Sequence, residues 1–165
     1  MTRNCLELLQ AKWRTGKFVC VGLDTDPAKM ALPFGEASAS PVTDMLAFNK
    51  AIVDATHDLV CAFKPQSAFY EALGKSGLSV LRETVQYINH IAPHVPVILD
   101  AKRNDIGNTA EQYANAVFDY IGADGVTLNP YLGIGALEPF FRQQGKMAIV
   151  LCRTSNKEAS EFQNL

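Results

Sequence analysis

Five short apolar runs alternate with longer amphipathic stretches along this chain, and this alternation constrains its fold more than any other feature. The runs lie at residues 18–24, 60–65, 95–102, 125–129 and 147–152. Each run is apolar at almost every position, which is typical of parallel strands that are buried on both faces. In the stretches between them, apolar residues recur every three or four positions, as in amphipathic helices. The sequence therefore predicts repeated βα units and a parallel sheet.

The first loop after a predicted strand separates the two architectures that such units can build. An open, doubly wound sheet that binds dinucleotides needs G-x-G-x-x-G there, and Gly22–Pro27 lacks that pattern. Polar or charged residues instead follow the ends of the predicted strands: Asp24, Lys64, Asp100, Lys102, Asn129, Thr154 and Ser155. Barrel enzymes keep their chemistry at the carboxyl ends of their strands. The sequence therefore predicts an α/β protein with the (β/α)₈ TIM barrel fold.

The number of predicted strands sets an expectation about the extent of the barrel. A closed barrel needs eight strands, whereas the sequence predicts about five βα units. Five strands alone would leave two unpaired edges. We expect residues 1–165 to form a single domain, the N-terminal portion of a barrel whose last strands are absent. On this reading the chain is a fragment of a longer gene product; the alternative is that another chain covers the edges.

Charge and composition exclude several classes of partner. The formal net charge is −2, so no positive field for nucleic acid or anionic membrane is expected. No segment has the length and apolarity of a membrane span, and the N-terminal stretch lacks a signal-peptide core. The four cysteines form no CxxC pair, which favours buried thiols in a reducing compartment over disulfides or a zinc site. We expect a cytoplasmic protein.

The segment that follows the third apolar run carries the most chemistry. Because side chains alternate along a strand, Asp100 and Lys102 are expected to share the inner face above Ile98, while Leu99 and Ala101 face the outer helices. A structural ion pair would explain an isolated D-x-K pattern. Two further charges argue for more than that.

Lys64 ends a neighbouring strand, and Asp105 lies three residues beyond Lys102. Two lysines and two aspartates that alternate in space can satisfy one another as a network. Flanking carboxylates would also keep Lys102 in its ammonium form.

These residues resemble the signature of the orotidine 5′-phosphate decarboxylase family. The core of the resemblance is Asp100-x-Lys102-x-x-Asp105-Ile106-x-x-Thr109. Its other landmarks agree in order and character: VGLD at 21–24, AFKPQSAFYE at 62–71, and Thr154-Ser155-Asn156. The resemblance runs from about residue 18 to the end of the chain.

The resemblance implies a decarboxylation of orotidine 5′-phosphate in pyrimidine biosynthesis, with no metal and no cofactor. Lys102 would be the proton donor to C6 of the pyrimidine, and Asp100 would lie beside the departing carboxylate. Lys64 would hydrogen-bond within the charged tetrad and to the ribose, and Asp24 would also bind ribose. Ser155 matches a residue that contacts the edge of the pyrimidine ring.

The resemblance also implies a homodimer with shared active sites, because Asp105, Ile106 and Thr109 match residues that reach into the partner's site. The family binds the substrate phosphate through residues of later strands, and none of the residues of this chain matches them. We therefore expect the chain by itself to be weakly active or inactive.

Three alternatives stay open. Sugar-phosphate decarboxylases and hexulose-phosphate synthases also carry D-x-K-x-x-D, but they place a carboxylate on strand two to help bind Mg²⁺, where this chain has Lys64. A truncated paralogue without catalytic activity could act as an interaction partner. An aldolase would need Lys64 or Lys102 as a Schiff-base nucleophile with a lowered pKa, and nearby carboxylates act in the opposite direction. Asn49 is either close to the ligand or part of a polar helix face.

Overall fold

Within the part of the chain that the structure describes, five parallel strands follow one another in chain order, as a two-stranded and a three-stranded sheet. The computed structural model describes residues 3–30 and 40–164. The strands are β1 (Cys20–Leu23), β2 (Ala62–Pro65), β3 (Ile98–Arg103), β4 (Gly125–Leu128) and β5 (Met147–Val150). Single bridges, Phe63 to Val97 and Gln66 to Asp100, join β2 to β3. The predicted parallel sheet is confirmed, with strands a few residues shorter than the apolar runs.

Helices follow the strands as the sequence pattern predicts. They are α1 (Cys5–Arg14), α2 (Pro41–Thr56), α3 (Ser67–Glu71), α4 (Gly74–Ile91), α5 (Gly107–Asn115), α6 (Glu138–Phe141) and α7 (Ser160–Gln163). A π-helical segment, Ala116–Ile121, extends α5, and 3₁₀ turns at Ile134–Leu137 and Lys157–Ala159 precede α6 and α7. The short α3 was not predicted, because five residues are too few for a periodic pattern. None of the described helices is long and apolar enough to cross a bilayer.

The alternation of side chains along the strands separates two apolar clusters. Phe63, Leu99 and Val126 belong to the larger cluster, which the strands form with the surrounding helices. Ala62 and Ile98 belong to a second cluster, which also includes residues of α1. The predicted division of β3 into an inner and an outer face is therefore confirmed at residues 98 and 99.

Helix α1 covers the amino-terminal end of the strands. Cys5 and Leu9 of this helix are buried in the inner cluster together with Ala62 and Ile98. The backbone N–H of Cys5 donates to the carbonyl oxygen of Gly145 at 2.8 Å, just before β5. Since the predicted chemistry lies at the opposite, carboxyl ends of the strands, this end of the sheet serves stability.

A buried ion pair anchors the segment before α1. Arg3 donates from Nε and Nη2 to the two carboxylate oxygens of Asp124, at 2.9 and 2.7 Å. The backbone N–H of Val97 donates to the same carboxylate at 3.0 Å. Asp124 is almost completely buried, so these donors replace the water that would otherwise surround its carboxylate.

The expected burial of the cysteines is wrong for two of them. Cys5 and Cys61 are buried, whereas Cys20 and Cys152 are exposed. Cys20 lies on β1 two residues before Gly22, on the face opposite to buried Leu23. Five strands do not enclose this inner face, so an apolar residue there keeps contact with solvent.

Removing the buried anion tests the role of this anchor. We expect Asp124→Ala to lower the free energy of unfolding by about 3 kcal/mol, because Arg3 and the N–H of Val97 lose their partner in a buried place. The control is Glu138→Ala, which removes an exposed ion pair with Arg142 and should cost about 0.5 kcal/mol or less. Urea unfolding measures both. Equal, small losses would contradict the assigned role.

Candidate active site

Three of the four residues of the predicted charged network, Lys64, Asp100 and Lys102, meet in the structure. Lys64 of β2 donates from Nζ to Oδ2 of Asp100 at 2.9 Å, and Lys102 of β3 donates from Nζ to Oδ1 at 2.7 Å. The carboxylate of Asp100 thus lies between two ammonium groups. Its side chain is 12% exposed, and those of Lys64 and Lys102 are 32% and 48% exposed. The group is therefore shielded at its acidic centre and open to solvent at its lysines.

The donors around Asp100 determine its ionisation. Burial by itself would raise the pKa of this carboxyl, but hydrogen bonds from Lys102, Lys64 and Thr127 outweigh it and lower the pKa to about 2. Burial likewise opposes the charge on Lys64, yet the hydrogen bond and the attraction of Asp100 raise the pKa of Lys64, and Asp24 adds to this effect. Asp100 is therefore an anion and Lys64 a cation at neutral pH.

The backbone at Lys102 departs from a regular strand. The pairing of β3 with β4 shifts its register between Leu99 and Arg103. Within this irregularity Lys102 has a φ of 49°, a left-handed conformation that costs a residue other than glycine about 1–2 kcal/mol. The alternation of side chains along the strand therefore correctly predicted that Lys102 contacts Asp100. The irregular backbone between Leu99 and Arg103 also contributes to this contact.

Sequence reasoning missed Thr127. Its Oγ1 donates to Oδ1 of Asp100 at 2.7 Å and accepts from the backbone N–H groups of Ala101 and Lys102, both at 3.0 Å. A threonine within the apolar run 125–129 is ordinary for a strand, so no signal in the sequence distinguished it. Only the register between β3 and β4 brings it beneath the charged group.

Asp105 does not join the network within one chain. Its Oδ1 accepts from the backbone N–H of Ile106 at 2.8 Å, and among the described residues no ion pair connects it to Lys64 or Lys102. Its side chain lies in the loop between β3 and α5. A tetrad made by a single chain is not present, and the assignment of Asp105 to a partner's site stays a prediction.

The predicted substrate-binding residues lie on the accessible surface near the strand ends. Asp24 follows β1 directly and, with Thr25, Phe48 and Phe69, lines a cavity of about 260 Å³. Ile106, Thr109 and Ser155 are exposed in the loops after β3 and β5 and in the first turn of α5. Their side chains are available to a ligand or to a second chain.

Asn49 is neither on an exposed polar face nor free to contact a ligand. It is completely buried, and its Oδ1 accepts from Thr25 Oγ1 at 2.6 Å. Its Nδ2 lies 3.1 Å from the hydroxyl oxygens of Tyr70 and Thr84, and Tyr70 donates to the carbonyl oxygen of Leu23 at 3.0 Å. This polar network therefore holds the residues on both sides of Asp24.

Comparisons with known proteins point to one family. The family model described as "Orotidine 5′-phosphate decarboxylase / HUMPS family" matches residues 17–165. An orotidine 5′-phosphate decarboxylase from Herpetosiphon aurantiacus is 47% identical over 147 residues, which are 89% of this chain and 52% of the relative. One from Cellvibrio japonicus is 47% identical over 161 residues, which are 97% of this chain and 58% of the relative. The chain thus spans about half the length of the curated relatives it matches.

A solved structure gives the same result for the fold. Leishmania donovani OMP decarboxylase superposes with a TM-score of 0.83 at 33% identity, over 98% of this chain and 58% of that one. Together with the five parallel strands in chain order, this confirms the expected fold class, a partial (β/α)₈ barrel.

The low pKa of Asp100 predicts how acid acts on stability. A carboxyl with a folded pKa near 2 against an ordinary value of 3.8 stabilises the fold above about pH 4, and this contribution disappears as the pH falls toward 2. Between about pH 5 and 2, wild type should lose about 1–2 kcal/mol more unfolding free energy than Asp100→Asn, which lacks the ionisable group. Urea unfolding across this range measures the difference. Parallel pH profiles of the two proteins would refute the assigned ionisation.

Proposed function

Because the chain belongs to the orotidine 5′-phosphate decarboxylase / HUMPS family, we propose that it carries the decarboxylating centre of an orotidine 5′-phosphate decarboxylase. The reaction converts orotidine 5′-phosphate to uridine 5′-phosphate and CO₂ in pyrimidine biosynthesis. The observation that supports it best is the contact of Asp100 with both Lys64 and Lys102, at 2.9 and 2.7 Å.

The charged group accounts for the proposed chemistry without a cofactor. The bond between C6 of the pyrimidine and its carboxylate breaks, CO₂ leaves, and the electron pair stays on C6. The ammonium of Lys102 stabilises this developing negative charge and then donates a proton to C6. Asp100 lies beside Lys102, where it faces the departing carboxylate and keeps the ammonium oriented.

The electrostatic contribution of the Lys102 ammonium is too small to account for the whole rate acceleration. One ammonium at about 4 Å and an effective dielectric of about 20 contributes about 4 kcal/mol, or about three decades in rate. The remaining acceleration must come from binding of the ribose and phosphate, whose free energy is expressed in the transition state. In this proposal Asp24 and Lys64 bind the ribose, and Ser155 contacts the ring edge.

A homodimer completes the site in this proposal. Asp105, Ile106 and Thr109 would extend into the active site of a second copy. Two observations support this arrangement: Ile106 is 64% exposed, and Asp105 has no ion pair with the lysines of its own chain among the described residues. The compartment that we propose is the cytoplasm.

The family also includes the HUMPS branch, for which a metal-assisted reaction is the competing function. The charge at the end of β2 argues against that reaction, because Lys64 occupies the position where that branch needs a carboxylate. The ammonium of Lys64, 2.9 Å from Asp100, would repel Mg²⁺ from this carboxylate. A role as a non-catalytic interaction partner remains the second alternative, and a measurable turnover removes it.

Replacing the proposed proton donor tests the function directly. We expect the 165-residue chain to release CO₂ from orotidine 5′-phosphate slowly under single-turnover conditions with excess protein. Lys102→Ala should lower this rate by about three decades, because it removes both the charge and the proton. The control is Lys75→Ala, on the exposed surface of α4, which should keep the rate. Circular dichroism checks the fold, and an unchanged rate in Lys102→Ala would exclude the mechanism.

Metal removal distinguishes the two branches of the family. We expect the rate in EDTA to equal the rate without it, because the ammonium of Lys102 supplies the charge that a metal ion would otherwise supply. The measurement compares chelated protein with protein to which Mg²⁺ has been added back. A rate that falls in EDTA and recovers with Mg²⁺ would favour the metal-assisted reaction.

A further inference from the structure

The hydroxyl of Thr127 has a fully determined hydrogen-bond polarity. A threonine hydroxyl has one proton to donate and two lone pairs to accept with. The N–H groups of Ala101 and Lys102 both donate to it at 3.0 Å, so they occupy the lone pairs. The single proton is therefore directed to Oδ1 of Asp100, at 2.7 Å.

The hydroxyl of Thr127 lies where the regular pairing of β3 with β4 is interrupted. The pairs Leu99 with Val126 and Arg103 with Leu128 belong to two different registers. Between them, Thr127 accepts the backbone N–H groups that regular pairing would have bonded to carbonyl oxygens. It thus compensates the backbone for the irregularity in which Lys102 takes its left-handed conformation, with a φ of 49°.

The same hydroxyl also provides one of the three hydrogen bonds that the carboxylate of Asp100 accepts. Oδ1 accepts from Thr127 and from Lys102 at 2.7 Å each, while Oδ2 accepts from Lys64 at 2.9 Å. One side chain, 8% exposed, therefore links the backbone of Lys102 to the carboxylate that orients its ammonium. A valine would have the same shape but would leave two N–H groups and one carboxylate oxygen without this partner.

We propose that Thr127 is a positioning residue that sets the backbone conformation of Lys102 and the orientation of Asp100. It does not touch substrate in this role; it acts through Lys102, the proton donor of the proposed function, on which the kinetic part of the inference rests. The structural part rests on the hydrogen bonds alone.

Two matched pairs of proteins isolate the hydroxyl in the full 165-residue chain. Wild type and Thr127→Val differ by a hydroxyl in place of a methyl group at constant shape. Thr127→Ser and Thr127→Ala both lack the methyl group and differ only by the hydroxyl. Thr56→Val is the control, because Thr56 donates its hydroxyl to the carbonyl oxygen of Ile52 within α2, away from the strand ends.

Three measurements are made on each protein. NMR follows the titration of the Asp100 carboxyl carbon, hydrogen exchange follows the amides of Ala101 and Lys102, and single-turnover decarboxylation gives the rate and the half-saturating substrate concentration. A structural role alone would change the unfolding free energy but would leave the Asp100 titration and the rate of the folded protein unchanged.

In Thr127→Val and Thr127→Ala we expect Asp100 to titrate at higher pH and both amides to exchange faster. The rate should fall about 100-fold, as a small misplacement of a reacting group does, with little change in half-saturation. Thr127→Ser and Thr56→Val should match wild type in all three measurements.

The inference is overturned if the proteins without the hydroxyl keep the wild-type titration and amide exchange, or if Thr127→Ser is as impaired as Thr127→Ala. Should Thr127→Val not fold, the serine and alanine proteins make the same comparison. If wild type shows no turnover, the kinetic part of the inference fails for this chain, and the titration and exchange still decide the positioning role.

Discussion

The carboxylate of Asp100 is the centre on which the rest of the site depends. It is shielded from solvent, and three donors on two neighbouring strands and its own strand hold it as an anion. A buried carboxylate without such donors would take up a proton or destabilise the fold. Because the donors include Lys64 and Lys102, the same contacts that stabilise the anion also fix two ammonium groups at the carboxyl ends of the strands. Stability and chemistry therefore share one set of hydrogen bonds.

The two ends of the sheet divide the remaining tasks. At the amino ends of the strands, Arg3 and Asp124 form a buried ion pair, and α1 covers the inner cluster. At the carboxyl ends, the charged group is exposed at its lysines. Behind β1, the polar network of Asn49 holds the residues that flank Asp24. Buried polar groups that are fully paired are rigid. Hydrogen bonds from buried residues therefore fix the backbone at the carboxyl ends of β1 and β3, while Asp24 and Lys102 stay accessible to solvent.

A single chain leaves the proposed site incomplete in two respects. Asp105 lies in the loop after β3 and accepts a hydrogen bond from the backbone N–H of Ile106, and in the proposal it is supplied to a second copy. The five strands also leave the inner surface open beside β1, where Cys20 is exposed. This chain spans 52% and 58% of the length of the two curated relatives compared above.

The sequence by itself determined the βα units, their order, and the identity of Lys64, Asp100 and Lys102 as a group. It could do so because periodicity and the position of a polar residue at a strand end are local properties. It did not determine the roles of Thr127 and Asn49. Both are common residues within ordinary patterns, and their partners lie about 20 to 35 residues away along the chain. Only the register of β4 against β3 puts the Thr127 hydroxyl beneath Asp100, and only the packing of α2 against α4 buries Asn49 beside Thr84. Such contacts depend on how distant segments pack, and this information resides in the tertiary structure.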